Sequence, residues 1–350
     1  MSSNGAVALK DVALDALGGD HAPGEIVAGA VQAARELTAS VILTGPQEQV
    51  RAELAKHNTH GLDISVEDAP EVVAMDEHAS DALKKKQSSM AVAVRLVKEG
   101  RASAAVSAGN SGAMMATALF GLGRIRGIDR PALGIPYPAR SGTCLLLDVG
   151  ANADCRPQHL VQFALMGVAY AEQVYGVKRP RVGLLSIGEE EGKGNQLVKD
   201  TTLLLKEAAA LAGLNFIGNV EGKDLPAGMA DVVVCDGFTG NVALKLSEGL
   251  ARMIRELIRE AAYSNARSKI GGMLLKPALE QQFSRLDWRE TGGSLLMGLK
   301  GVALIGHGRS DARAIRSAIR TARQIAASKP TNAIAEGMTK LGVLAEVERG

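Results

Sequence analysis

The chain has 350 residues, 46% of them hydrophobic and 22% charged, with a formal net charge of +2. These proportions suit a globular protein and exclude a disordered or fibrous chain. The small net charge makes no global case for nucleic acid, and 3% aromatic residues leave few platforms for stacking single strands.

The N-terminal stretch MSSNGAVALKDVALDALGGD lacks a charged region followed by a long apolar run. Nor does any segment approach the roughly 20 apolar residues of a membrane-spanning helix. A cytoplasmic protein is expected. Cys144, Cys155 and Cys235 show no CxxC spacing, which fits unpaired thiols in a reducing compartment.

In chain order, residues 7–15 read as a strand and 23–36 as a helix with Pro23 near its start. A strand follows at 41–44 and a helix at 46–56. The strand signature repeats at 104–107, 144–148, 182–186 and 232–236, each run leading through small residues toward helical periodicity. Near-continuous apolar strands alternating with helices predict a mostly parallel sheet covered on both faces, a three-layer α/β/α sandwich. Residues 238–263 form one long helical pattern, which SNARSKIGGMLL interrupts before a second helix is expected from Pro277 to Phe283. A helical hairpin over 246–290, with its bend at Gly271 and Gly272, is the expected insertion in a single domain spanning 1–350. A strand at 302–305 and a final helix at 310–328 complete the pattern.

In open α/β sheets, ligands bind beyond the carboxyl ends of the strands. Here those ends carry Asp15 with Gly18, Gly19, Asp20 and His21, then SAGNSGA (107–113), DVGAN (148–152), SIGEEEGKGN (186–195), DGFTGN (236–241) and GHGRSDA (306–312). Glycines let backbone amides approach a ligand, and helix N-termini supply unpaired N–H groups suited to phosphate or an oxyanion. Taken singly the motifs are weak. SAGNSGA fails the GxSxG pattern at Ala113, and GEEEGKG lacks P-loop spacing. Their convergence on one edge of one sheet, with lysines and carboxylates but no metal-ligand cluster, suits phosphate chemistry without a metal.

DALGGDHAP, SAGNSGA, LLDVGAN, LLSIGEEEGKGN, VVVCDGFTGNVALK and GHGRSDA, in this order, resemble the acyl-ACP:phosphate acyltransferases of bacterial phospholipid synthesis. The match runs from about Val12 to about Ala326. Leu17 stands where that family commonly has Met, and Arg309 where a small residue is expected. The resemblance implies a fold related to phosphotransacetylases and isocitrate dehydrogenases, a homodimer, no cofactor, and acyl carrier protein as partner. It also implies an acyl phosphate product that a membrane glycerol-3-phosphate acyltransferase consumes, so peripheral membrane association is expected.

The expected chemistry is direct attack of phosphate on a thioester carbonyl. Lys86, Lys193 and Ser111 are assigned to phosphate, Asn110, Asn152 and Asn241 to the carbonyl, and Asp236 and His307 to proton handling. Asp15, Gly19, Asn195 and Thr239 complete the expected substrate-binding set. Two basic stripes are candidate docking faces for the acidic carrier: Arg313, Arg316 and Arg320 (with Arg323) on the last helix, and Arg252, Arg255 and Arg259 on the long one. Ile270, Met273, Leu274 and Leu275 are the candidate membrane contact. Two other readings stay open: an NAD- and metal-dependent dehydrogenase of the isocitrate type, and a non-enzymatic membrane-associated scaffold.

Overall fold

The computed structural model describes residues 11–140, 142–284 and 287–347, so the first four residues of the strand expected at 7–15 lie outside it. The first half contains β1 (Asp11–Asp15), α1 (Gly24–Leu37), β2 (Val41–Gly45), α2 (Gln47–Leu54), β3 (Ile64–Asp68), α3 (Ala79–Ala82), α4 (Ser89–Lys98), β4 (Ala102–Ser107) and α5 (Ser111–Leu122). Then come β5 (Ala132–Ala139), β6 (Gly142–Leu147), α6 (Pro157–Tyr175), β7 (Val182–Leu185), α7 (Gln196–Ala212), β8 (Phe216–Val220), α8 (Asp224–Ala227) and β9 (Val232–Val234). The chain ends with α9 (Gly237–Tyr263), α10 (Ala266–Ser284), α11 (Trp288–Thr291), β10 (Ser294–Met297), β11 (Val302–Ile305), α12 (Ala312–Ser328) and α13 (Pro330–Val347).

Among the described residues, all eleven strands join one sheet in the order β3-β2-β1-β4-β11-β10-β5-β6-β9-β7-β8. Its inner strands are largely buried because helices cover both faces, while the edge strands β3 and β8 are partly exposed. One apolar cluster packs α1, α6, α7 and α12 against the sheet, and another packs α4 and α5. The α/β/α expectation holds.

So does that of a mostly parallel sheet, which nevertheless reverses direction at its centre. Pairing is antiparallel at β11–β10, β10–β5 and β5–β6, and parallel elsewhere. Three successive reversals leave β3, β2, β1, β4 and β11 running opposite to β6, β9, β7 and β8. The sheet therefore has two parallel halves of opposite sense, joined by two central strands.

β5 also carries Pro136 and Pro138, residues that a central strand normally rejects for want of an N–H. β10 reaches only Ala132, Leu133 and Gly134, so beyond Gly134 the strand pairs with β6 alone. Two residues apart, the prolines share one side of the strand, where the ladder asks nothing of them. The gap beside them becomes the floor of the site.

The hairpin differs from expectation as well. α10 runs unbroken through Gly271, Gly272 and Pro277, and the bend lies at Ser264–Asn265. Asn265 starts the second helix by accepting the Ser268 amide at 2.9 Å. Gly272 is a crossing point: a Cβ there would sit 2.8 Å from the Ala262 Cβ on α9. α13, packed on α6 and α7, was not expected after α12.

Candidate active site

The two half-sheets point their carboxyl ends at a single cavity of about 920 Å³ over β5. From one half come Gly109 to Gly112, after β4, and Gly306 to Gly308, after β11. From the other come Val149 and Gly150, after β6, and Gly237, after β9. Leu133, Ile135 and Tyr137 of β5 form an apolar floor, and α9 crosses above it with Leu244, Ala251 and Ile254. The site is thus a cleft between two facing loop sets, where sequence reasoning expected one sheet edge.

Of the expected site residues, Asn110, Ser111, Asn241 and His307 line this cavity. Asn110 is nevertheless engaged elsewhere. Its Oδ1 caps α5 by accepting the Ala113 amide at 3.0 Å, and its Nδ2 donates to the Met75 and Glu77 carbonyls at 2.9 and 2.8 Å. The amides of Ser111 and Gly112, at the first two positions of the helix, have no intrahelical acceptor and are the donors this end offers.

The other assigned residues stand outside the lining. Asp236 caps α9, accepting the Thr239 amide at 2.8 Å and the Thr239 hydroxyl at 2.9 Å. Asn152 donates to the Pro131 carbonyl and to Asp148, both at 2.8 Å. Asn195 caps α7 through the Val198 amide, while Lys86 and Lys193 are exposed on separate loops. The side chains of Asp236, Asn152 and Asn195 hold their own loops and helix ends in place.

Asp15 acts from behind the cavity. It is fully buried and accepts the Ser107 hydroxyl at 2.7 Å; that oxygen in turn accepts the Gly109 amide at 3.1 Å. Burial pushes the Asp15 carboxyl up, opposed by its hydrogen bonds from Ser89 and Ser107. Gly18 must be glycine here, since a Cβ would lie 2.5 Å from Asp15 Oδ2 and 2.8 Å from the Gly109 nitrogen. Gly19 adopts φ 120°, and a Cβ there would lie 3.1 Å from the Gly308 carbonyl oxygen, which accepts the Asp20 amide at 2.8 Å. The loop after β1 thereby braces both the Gly109 and the Gly308 segments.

His307 is half-buried, and that burial, with the charges of Arg309 and Lys245, holds its pKa below the ordinary 6.5; Glu248 and Asp20 pull weakly the other way. A neutral imidazole at neutral pH can accept a proton. Lys245 and Glu248, on the stretch of α9 facing His307, pair at 3.1 Å and were missed in the sequence, as was Tyr137, whose hydroxyl meets Ser247 at 2.8 Å. Their signal was helical spacing: Asn241, Lys245 and Glu248 fall on one face of α9. The cysteines lie outside the lining, and burial pushes the Cys144 and Cys155 thiols up to about 12, so neither is a ready thiolate.

The chain matches the family model described as "Fatty acid synthesis protein" over residues 10–333. It is 51% identical to a phosphate acyltransferase of Anaeromyxobacter sp. over 98% of this chain and 94% of that protein. Among solved structures, a phosphotransacetylase from Streptococcus pyogenes superposes with TM-score 0.63 at 19% identity, covering 90% of this chain and 94% of the other. A 4-hydroxythreonine-4-phosphate dehydrogenase from Klebsiella pneumoniae superposes with TM-score 0.56 at 14% identity, covering 91% and 99%. The structural likenesses establish the shared fold, while the sequence relationship, at half identity over nearly the whole length of both proteins, establishes that the chain belongs to the phosphate acyltransferase family.

Proposed function

We propose that the protein transfers an acyl group from the thioester of an acyl carrier protein to inorganic phosphate, yielding acyl phosphate and free carrier thiol. The observation that supports this most is one cavity joining polar loops, with Ser111, Asn241 and His307, to an apolar run under α9. The acyl chain lies along Leu133, Ile135 and Leu244, with the thioester carbonyl at the loops. A hydrogenphosphate oxygen attacks the carbonyl carbon, and the oxyanion is met by the Ser111 and Gly112 amides and the Asn241 side chain. His307 takes the hydrogenphosphate proton as the new C–O bond forms. As the C–S bond breaks, it returns that proton to the departing thiolate. The test is release of carrier thiol from an acyl carrier thioester: it depends on added phosphate and is indifferent to NAD. Release that required NAD, or none with phosphate present, would favour the dehydrogenase reading.

Carrier docking falls to α9. On α12, Arg313 is tied to Glu290 at 2.9 Å, Arg316 to Glu36 at 2.8 Å, and Arg323 to the Leu37 carbonyl at 2.8 Å. Arg320 bonds the Glu290 carbonyl. That stripe is spent on joining α12 to its neighbours. Arg252, Arg255 and Arg259 are exposed on α9 beyond the cavity mouth, Arg255 lying over the Phe283 ring. Reversing charge at Arg255 and Arg259 raises KM for the acyl carrier substrate at low salt, and added salt erases the difference. A KM equal to wild type at low salt would remove the stripe from docking.

The hairpin supports membrane contact and dimerisation. Among the described residues no helix is long and apolar enough to cross a membrane. On α10, however, Met273 and Leu274 are 70% and 80% exposed beside Ile270 and Leu275, with Lys269 and Lys276 flanking them. Apolar side chains flanked by cations suit the surface of an anionic bilayer, where an acyl phosphate passes to a membrane acyltransferase. A second copy covering Val242, Leu246 and Leu257 of α9 makes two such tips act together. Leu274→Glu with Leu275→Glu releases the protein from anionic vesicles in flotation and retains acyl phosphate synthesis. Unchanged flotation would refute the membrane role.

A further inference from the structure

A phosphate dianion held beside a thioester needs a cation, and Lys86 and Lys193, read from the sequence for that task, do not line the cavity. Among the described residues that do line it, Lys245 is the sole lysine or arginine. It sits two turns into α9, facing His307, with its side chain 53% exposed. Its partner Glu248, one turn further on and 21% exposed, lies 3.1 Å from the ammonium. The pair is therefore half-wet and can open. An ammonium has three donors on a flexible stem and can exchange one carboxylate for a more highly charged anion.

We propose that Lys245 is the cationic ligand of inorganic phosphate in this site, and that Glu248 is an internal anion competing for it. This rests on the acyl-transfer reading and adds to it the residue that recruits the nucleophile. Phosphate held on Lys245 stands on the same side of α9 that His307 faces, next to the group that receives its proton. Glu248 keeps the ammonium aimed into the cleft and, by repelling the bound dianion, limits how tightly phosphate is held. Lys245 lies within α9, neither at a strand end nor in a glycine-rich loop, so its place in the site is not legible from the sequence.

The test compares Lys245→Met, Lys245→Arg and Glu248→Gln by steady-state kinetics with varied phosphate and varied acyl carrier thioester. It adds equilibrium dialysis with labelled inorganic phosphate, which reads the site without turnover. Losing one charge-assisted contact raises the phosphate KM of Lys245→Met about 10- to 100-fold. The thioester KM stays at the wild-type value, and dialysis shows the same loss. Lys245→Arg retains part of the affinity. Glu248→Gln moves the phosphate KM the other way, which a merely structural role would not produce. Thermal melts matching wild type confirm that all three variants are folded. Phosphate affinity equal to wild type in Lys245→Met, or a rise confined to the thioester KM, overturns the assignment. Lys245-dependent phosphate binding without acyl phosphate formation would instead leave the site standing and sink the acyl-transfer reading.

Discussion

Replacing His307 by glutamine is expected to lower kcat about 10²- to 10³-fold while the protein stays folded, the size of effect that removal of a general base typically has. The imidazole sits at the end of β11 in the cavity, and burial keeps its proton affinity below the ordinary value of 6.5. The sign of the pH dependence follows. A base with a depressed pKa is neutral at pH 7 and accepts a proton only in that form, so the contribution of His307 to the rate is fully present at neutral pH. It falls as pH drops below 6.5 toward the depressed value. Glutamine does not titrate, so the acid limb belonging to His307 disappears with the rate. A pH–rate profile on wild type and variant checks both statements. An acid limb that persists unchanged in the glutamine variant would assign it to another group and take His307 out of the proton path.

Gly240→Ala should be strongly destabilising for so small a substitution. A Cβ at Gly240 would lie 1.9 Å from the Asp148 carbonyl oxygen and 2.9 Å from Cys235 Sγ, so the first turn of α9 has to lift off the end of β6. Backbone is the obstacle, and it cannot rotate away as a side chain would. The expected loss is about 3 kcal/mol or more, above the usual range for overpacking. Activity falls with it, because Asn241 and the Asp148–Asn152 loop move together. Gly249→Ala, on the same helix, is the control. Nothing lies within 4 Å of its added Cβ, and alanine is the better helix former by about 0.8–1.0 kcal/mol. Denaturant melts of the pair should therefore shift in opposite directions. A Gly240→Ala protein as stable as wild type would mean that α9 is not pressed onto β6 in this way.

Much of this architecture was legible because parallel strands buried on both faces are apolar runs with small residues at their ends. Residues 41–44, 104–107, 182–186 and 232–236 each mark a strand for that reason, the last two runs overshooting the ends of β7 and β9. The central reversal was not legible. β5 contains two prolines that argue against a strand, and only the shortness of β10 explains how they are tolerated. The hairpin bend was placed at Gly271 and Gly272 because glycine breaks isolated helices; here the glycine at 272 buys close packing on Ala262. The loops were identified as a set, but spacing could not separate a residue that faces the cleft from one that caps a helix. Asp236, Asn110 and Asn195 have cap chemistry, and the structure uses them so. Lys245 lay hidden inside an amphipathic pattern whose function only the crossing of α9 over β5 reveals.

Phosphate acting as the nucleophile at the thioester carbonyl is tested most directly with phosphate labelled by ¹⁸O at every oxygen. Single-turnover reaction with an acyl carrier thioester, followed by mass analysis of the acyl phosphate, should return every label in the product, one acyl phosphate for each carrier thiol released, with no nucleotide added. Acyl phosphate that has lost one label would mean that a carboxylate oxygen attacked phosphorus. Thiol release without acyl phosphate would mean hydrolysis. Either result contradicts the account.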